Sequence, residues 1–562
     1  MRKTIPMLCV LFFAAACNTP PPPPPAEKPV PAVAEFDSFT YTGHDAVYDH
    51  VKAGPGQYLN PILPGYYPDP SIVRVGEDYY LVNSTFMHFP GLPVWHSRDL
   101  VHWKQIGNAV DRPSQIDFGK LEISRGLFAP AISHHDGTYY IINTCVDCGG
   151  NFIITAKDPA GPWSDPVWFK FGDIDPSLFF DDDSRAYIVN NGLPAEKPRY
   201  EGHRAIWLQE VDLNAGKMTG PRKVLVNGGT DIAKKPIWIE GPHLYRINGW
   251  YYLMCAEGGT GDQHSEVIFR SRKLWGPYVP YKGNPILTQR DLDPARPYPV
   301  TSTGHADLVE TQNGEWFAVF LGTRPYGDDL YNTGRETFML PVTWKKGWPL
   351  ILEKGKPVPF AVKRPDLPPE AGPQHAGNYR LEEDFKGPLD PAWLMLRTPH
   401  EKWYATGDGT LRLTPRPVAI GSDGNPSFLG LRQQHADATA SIVLRFDPKI
   451  NGERAGLVAL QNSNAFWFLG VVREKGETSV CLFKRASKDE PENGVEQRCV
   501  PAPPGPVELQ IAIHGGKADF GYGTPGGEWQ SLLLDADATI LSTKKAGGFV
   551  GTVIGPYAYT PQ

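Results

Sequence analysis

Long helical periodicity is scarce in these 562 residues, and a chain that lacks the three-to-four-residue apolar spacing over long stretches is not a helical bundle. Positive charge in excess is also missing. The formal charge is −7, which leaves no basic footprint and makes nucleic acid an unexpected partner; a neutral ligand fits better. After the first residues no apolar run is long enough to span a bilayer. Cysteine is sparse, at seven, and Cys145-x-x-Cys148 stands without a second pair or a nearby histidine cluster, which is too little for a zinc site. A local disulfide or two free thiols fits that pair, and Cys481 and Cys499 flank a turn-rich stretch that would let them meet across a hairpin in an oxidising compartment.

What the chain has in abundance is turn and aromatic chemistry. There are 58 Gly and 57 Pro beside 15 Trp and 24 Tyr, a mixture that suits many short strands joined by tight turns. Its beginning has the form of an export signal. Arg2 and Lys3 precede a mostly apolar run from Ile5 to Phe13, and Ala14-Ala15-Ala16-Cys17 places small residues before a cysteine. Residues 1–17 are therefore expected to be a lipoprotein signal with Cys17 lipidated, and 18–57 a spacer and lead-in that opens with the stiff run Pro20 to Pro25. Asn18 gives no inner-membrane retention signal of the Asp type, so the expected location is exported, periplasmic or cell-surface, with an outer-membrane anchor and no other membrane contact.

Five segments share one grammar: Asp69-Pro70-Ser71-Ile72, Ala129-Pro130-Ala131-Ile132, Asp175-Pro176-Ser177-Leu178, Glu240-Gly241-Pro242-His243-Leu244 and His305-Ala306-Asp307-Leu308. Each is followed by a turn rich in Gly, Asp or Asn and then an aromatic-rich strand, which is the signature of a hairpin. Five hairpins in series predict an all-β chain whose residues 58–360 form a five-bladed β-propeller. Proline crowds the stretch that follows, so 361–378 is expected to be a linker, and the strand pattern of 379–562 predicts a β-sandwich.

Aligned by their turns, the repeats put Asp69, Ala129, Asp175, Gly241 and His305 at equivalent points, with Glu240 one residue earlier. Equivalent points in a propeller lie equally far from its axis, so three carboxylates and a histidine should gather at one end of the channel. Like charges in a poorly solvated pocket repel and push some pKa values up. That suits glycoside hydrolysis, where one carboxyl must stay protonated for the leaving oxygen and another ionised for water. The alternative is that Asp-Pro-Ser recurs as turn chemistry because blades recur.

Tyr67-Pro68-Asp69-Pro70-Ser71, Ile174-Asp175-Pro176-Ser177 and Ile239-Glu240-Gly241-Pro242-His243 resemble the three catalytic motifs of glycoside hydrolase family 43, the β-xylosidases and α-L-arabinofuranosidases. The resemblance runs on through the Phe86 to Pro93 and Gly334 to Phe338 stretches, and through Phe428 to His435, which is similar to the C-terminal sandwich of exo-acting members. It implies an inverting mechanism with Asp69 as general base, Glu240 as general acid and Asp175 as the group that raises and orients the acid. It further implies that Arg335, Phe86, Phe128 and His305 contact an oligosaccharide, that no cofactor is required, and that His305 is where a structural calcium ion would sit. Terminal xylose in β-1,4 linkage is the first expected substrate and arabinofuranose the second, with a non-catalytic glycan-binding lipoprotein as the other class. Phe128 stands where many relatives have Trp, and Asn83, Met87 and His88 also depart from the pattern near the expected pocket. Neither sequence nor resemblance reads the oligomeric state.

Overall fold

The computed structural model describes residues 31–562 apart from residue 373; the signal, Cys17 and the Pro20 to Pro25 run lie outside the described residues. Five antiparallel blades follow the five repeats. The first strands are Ser71–Val75, Ala131–His135, Ser177–Phe180, Glu240–Ile247 and Thr301–Glu310, and each pairs with the strand that follows its turn. In four blades the turn closes on a glycine in the left-handed region, Gly76, Gly137, Gly249 or Gly314; the Asp-rich third turn uses Ser184 at φ 61°. Blade five carries three strands of its own. Leu63 exchanges hydrogen bonds with Thr337 on its outer strand at 3.2 and 3.1 Å, so the segment preceding blade one closes the ring.

Residues 379–562 supply most of a two-sheet sandwich, with seven- and eight-stranded sheets. One strand comes from the other end of the chain. Ala34–His44, expected to belong to the lead-in, pairs with Asp437–Arg445 and with Tyr379–Glu383 inside the larger sheet. Phe36, Phe39 and Tyr41 point into the core while Thr40 and Thr42 face out, an alternation that fits a sheet with one wet face. The expected linker is likewise pinned: Ala361–Lys363 pairs with Gln57–Leu59, and Trp103 O accepts a 2.6 Å hydrogen bond from His375 Nε2.

The two β-domains share a core. Phe86, Leu92 and Phe118 of the propeller belong to one buried cluster with Phe39, Trp393 and Phe428 of the sandwich. Met395–Leu396 pairs with His88–Phe89 across the junction. Cys145 is bonded to Cys148, and Cys481 to Cys499 across neighbouring strands, while Cys255 is buried and free. Among the described residues no helix is long and apolar enough to cross a membrane.

Candidate active site

Backbone conformation marks four of the five repeat positions that the turns align, Ala129 being the exception. Asp69, Asp175, Gly241 and His305 hold φ values of 52°, 52°, 55° and 53°. For non-glycine residues this left-handed geometry costs about 1–3 kcal/mol each, and it persists where the surroundings over-determine it. Gly241 is glycine for a second reason: a Cβ there would stand 2.9 Å from the His305 ring.

The carboxylates line a cavity of about 490 Å³ at one end of the propeller channel, together with Phe86, Phe128, His305 and Arg335. Asp69 is tightly held. Its Oδ2 accepts a hydrogen bond from Ser84 Oγ at 2.6 Å and its Oδ1 accepts one from Arg335 Nη1 at 2.9 Å. The backbone on its N-terminal side is fixed by Asn83 Nδ2, which donates to Tyr67 O and Pro68 O at 3.0 and 3.2 Å. Burial pushes the Asp69 pKa up, but the Arg335 guanidinium, His305 and the Ser84 hydrogen bond outweigh it and hold the carboxyl below the usual carboxylate range.

Glu240 is placed by the neighbouring blade. Asn191 Nδ2 donates to Ile239 O and Ser177 Oγ to Pro242 O, both at 2.6 Å, so third-blade residues grip the strand on either side of it. Asp175 Oδ2 accepts from Gly241 N at 3.3 Å. Burial first, and then the charges of Asp175 and Asp69, raise Glu240 well above its ordinary pKa. Asp175 is raised as well, by burial and then by Asp69. One cavity thus holds a carboxyl whose pKa is held down and two whose pKa values are pushed up.

Relatives of the chain carry the same organisation. The model of glycosyl hydrolases family 43 matches residues 58–349, and that of the beta xylosidase C-terminal concanavalin A-like domain matches 382–562. The chain belongs to glycoside hydrolase family 43. It is 39% identical over 514 residues to a xylosidase/arabinosidase of Butyrivibrio fibrisolvens, covering 89% of this chain and 95% of that protein. It is 37% identical to a non-reducing end alpha-L-arabinofuranosidase of Bacteroides ovatus, covering 89% and 91%. Among solved structures, a GH43_12 protein retrieved from a capybara gut metagenome superposes with a TM-score of 0.87 at 43% identity, covering 95% of this chain and all of that one. The protein is a glycoside hydrolase with a five-bladed propeller and a C-terminal sandwich.

Every candidate residue of the family-43 motif comes to this cavity. Arg335 pairs with Asp69, while its sequence neighbour Glu336 turns away to Arg324 at 2.6 and 2.8 Å, so the two do not pair with each other. Phe86 and Phe128 meet edge to face at 5.4 Å. Asn83, Met87 and His88 do not border the cavity; they are buried behind it, His88 accepting or donating at 2.6 Å to Tyr66 OH.

Other contributors carry no signal in the sequence. Phe549, from the sandwich, stacks on Phe86 at 5.9 Å and meets Phe128 at 5.8 Å, and Thr260 Oγ1 accepts from Arg335 Nη1 at 3.1 Å. Trp238 lines the rim at φ 49° with the Arg204 guanidinium 3.9 Å over its ring.

At His305 the protein offers the expected calcium a ring nitrogen, and water oxygens would have to supply most of its shell. Calcium takes about six to eight oxygens at roughly 2.3–2.6 Å. His305 offers a ring nitrogen, and the nearest paired carboxylate oxygen, Asp69 Oδ1, stands 3.9 Å from Nδ1 and is shared with Arg335. Among the described residues no group of three or more His, Cys, Asp or Glu side chains is arranged to hold a metal ion.

Proposed function

We propose that this chain is an inverting exo-glycosidase that removes a terminal pentose, xylose in β-1,4 linkage first, from xylo-oligosaccharides or hemicellulose. The observation that carries the reading is the opposed displacement of two carboxyl pKa values in one cavity, Asp69 downward and Glu240 upward. Asp69, ionised, takes a proton from the attacking water. Glu240, protonated, gives its proton to the leaving oxygen, and the bond to the anomeric carbon breaks as the bond to water forms on the opposite face. Asp175 keeps Glu240 protonated and, through Gly241 N, fixes the backbone that carries it. No cofactor enters these steps.

Arg335 Nε is buried with no partner among the described residues, which leaves a donor for a sugar hydroxyl next to the base. Phe549 walls the cavity from the sandwich side, in keeping with a pocket that admits chain ends. The name of the Bacteroides ovatus relative supports α-L-arabinofuranosides as the second substrate class. Proton NMR of the chain lacking residues 1–25 on xylobiose tests the reading: α-xylose is the first anomer expected, and β-xylose as the first anomer overturns inversion.

The proposed site of action is outside the inner membrane, on a lipid anchor at Cys17. A Cys17→Ser chain should lose membrane association on cell fractionation; retention in the membrane fraction would overturn the anchor.

A further inference from the structure

A second cavity, of about 410 Å³, opens where blade five, the Ala34–His44 strand and the sandwich meet. Its volume falls within the roughly 300–1,000 Å³ of small-molecule sites. Its lining includes Tyr298, Tyr326 and the prolines Pro294, Pro299 and Pro325. His44 and Asp437 line it as well.

Three features point to a ligand there. Tyr298 is 44% exposed, and its backbone is held at φ 48° although it precedes a proline, a combination that costs energy and gives no hydrogen bond in return. The Asp437 carboxylate makes no hydrogen bond within the protein among the described residues; its contacts are His44 Nδ1 at 3.7 Å and His514 Nδ1 at 4.0 Å. Thr333, also in the lining, is 3% exposed and its Oγ1 has no partner among the described residues. The two guanidinium groups of the cavity are already engaged. Arg324 pairs with Asp45 and with Glu336 and donates to Gln434 O at 3.0 Å. Arg296 donates to Asp293 O, Gln289 Oε1 and Val300 O at 2.8, 3.1 and 2.5 Å, so neither is set to hold an anion.

An aromatic surface among prolines, an open carboxylate acceptor and an unpartnered hydroxyl, beside arginines that are committed elsewhere, is chemistry for an uncharged polyhydroxylated ring. We propose that this junction cavity is a second saccharide site, which takes a short neutral oligosaccharide with one ring against Tyr298 and hydroxyls donated to Asp437. Thr333 lines this cavity and Arg335, two residues further on, lines the first. The choice of a xylo-oligosaccharide as ligand rests on the function proposed above.

The test is calorimetric titration of xylotriose into the Glu240→Gln chain, whose turnover is strongly reduced, and into the same chain carrying Tyr298→Asn or Asp437→Asn. Asparagine tolerates the left-handed backbone at 298 at least as well as tyrosine, so the ring is removed without added strain. The expected result is loss of one binding event in Tyr298→Asn and at least tenfold weakening of that event in Asp437→Asn. Titrations indistinguishable from the Glu240→Gln parent overturn the site, whatever number of events the parent shows. Turnover of an aryl β-xyloside by the chain with Tyr298→Asn alone should match wild type. Absence of turnover in wild type would instead count against the proposed function, and the titration difference would still decide whether this cavity binds.

Discussion

At residue scale the chemistry rests on where two protons sit. Glu240 is raised in the folded chain, so between its unfolded pKa and its higher folded value the folded state binds more protons, and stability falls as pH rises through that window. Glu240→Gln removes this penalty. The variant should melt at a higher temperature than wild type at pH 7, with the gap closing below pH 4, while kcat on xylobiose falls about 10²–10⁴-fold. Thermal melts over a pH series and steady-state kinetics on one preparation check both. Activity needs Asp69 ionised and Glu240 protonated, so kcat/KM should rise as pH climbs through the Asp69 pKa and fall as it passes that of Glu240. Arg335→Gln takes away the charge that offsets Asp69's burial, and the acidic limb of the profile should move to higher pH; an unmoved limb would separate Arg335 from the base. Asp69, Asp175 and Glu240 were legible in the sequence because their repeats align by their turns, and the shared φ near 50° at Asp69, Asp175, Gly241 and His305 is the backbone expression of that alignment. Ser84, Asn191 and Thr260 were not legible, since one hydroxyl or amide in a strand or loop looks like any other until a fold brings it to its partner, here the Asp69 carboxylate, the Ile239 carbonyl and the Arg335 guanidinium.

At the scale of elements, the first strand of each blade both starts a sheet and delivers a residue to the axis. Ser71 Oγ and Ile72 N both donate to Asp307 Oδ2, at 2.8 and 2.9 Å, which ties the first strand of blade one to that of blade five directly behind Asp69 and His305. Gly241 shows how little room the arrangement leaves. Gly241→Ala forces a Cβ to within 2.9 Å of the His305 ring on a backbone at φ 55°, with the neighbouring Glu240 carried along. A destabilisation of about 1–3 kcal/mol is expected, with a fall in kcat larger than in Gly249→Ala, a turn glycine remote from the cavity; equal effects on kcat would show that strain alone decides. Hairpins were readable because strand, turn and strand are contiguous. The partner of Ala34–His44 was not, because its register with Asp437–Arg445 joins residues some 400 positions apart, and nothing in its alternation of inward aromatics and outward threonines names the sheet it enters.

Across the whole molecule the sandwich is part of the active site. Phe549→Ala should raise KM for xylobiose roughly fivefold, about 1 kcal/mol for the lost ring contact, and leave kcat near wild type; an unchanged KM would mean that Phe549 walls the cavity without touching sugar. The sequence by itself determined the all-β class, the five repeats, the change of pattern that marks the second domain and the three carboxylates. These are local facts, carried by turn residues, alternation and the identity of side chains at repeated positions. Only the tertiary structure decided that the first described strand belongs to the last domain, that Phe549 meets Phe86 and Phe128, that Arg335 pairs with Asp69 and not with Glu336, and that a second cavity opens at the junction. Each of these joins segments far apart in the chain or chooses between partners, and such choices are made by packing and burial, which no short stretch of sequence contains.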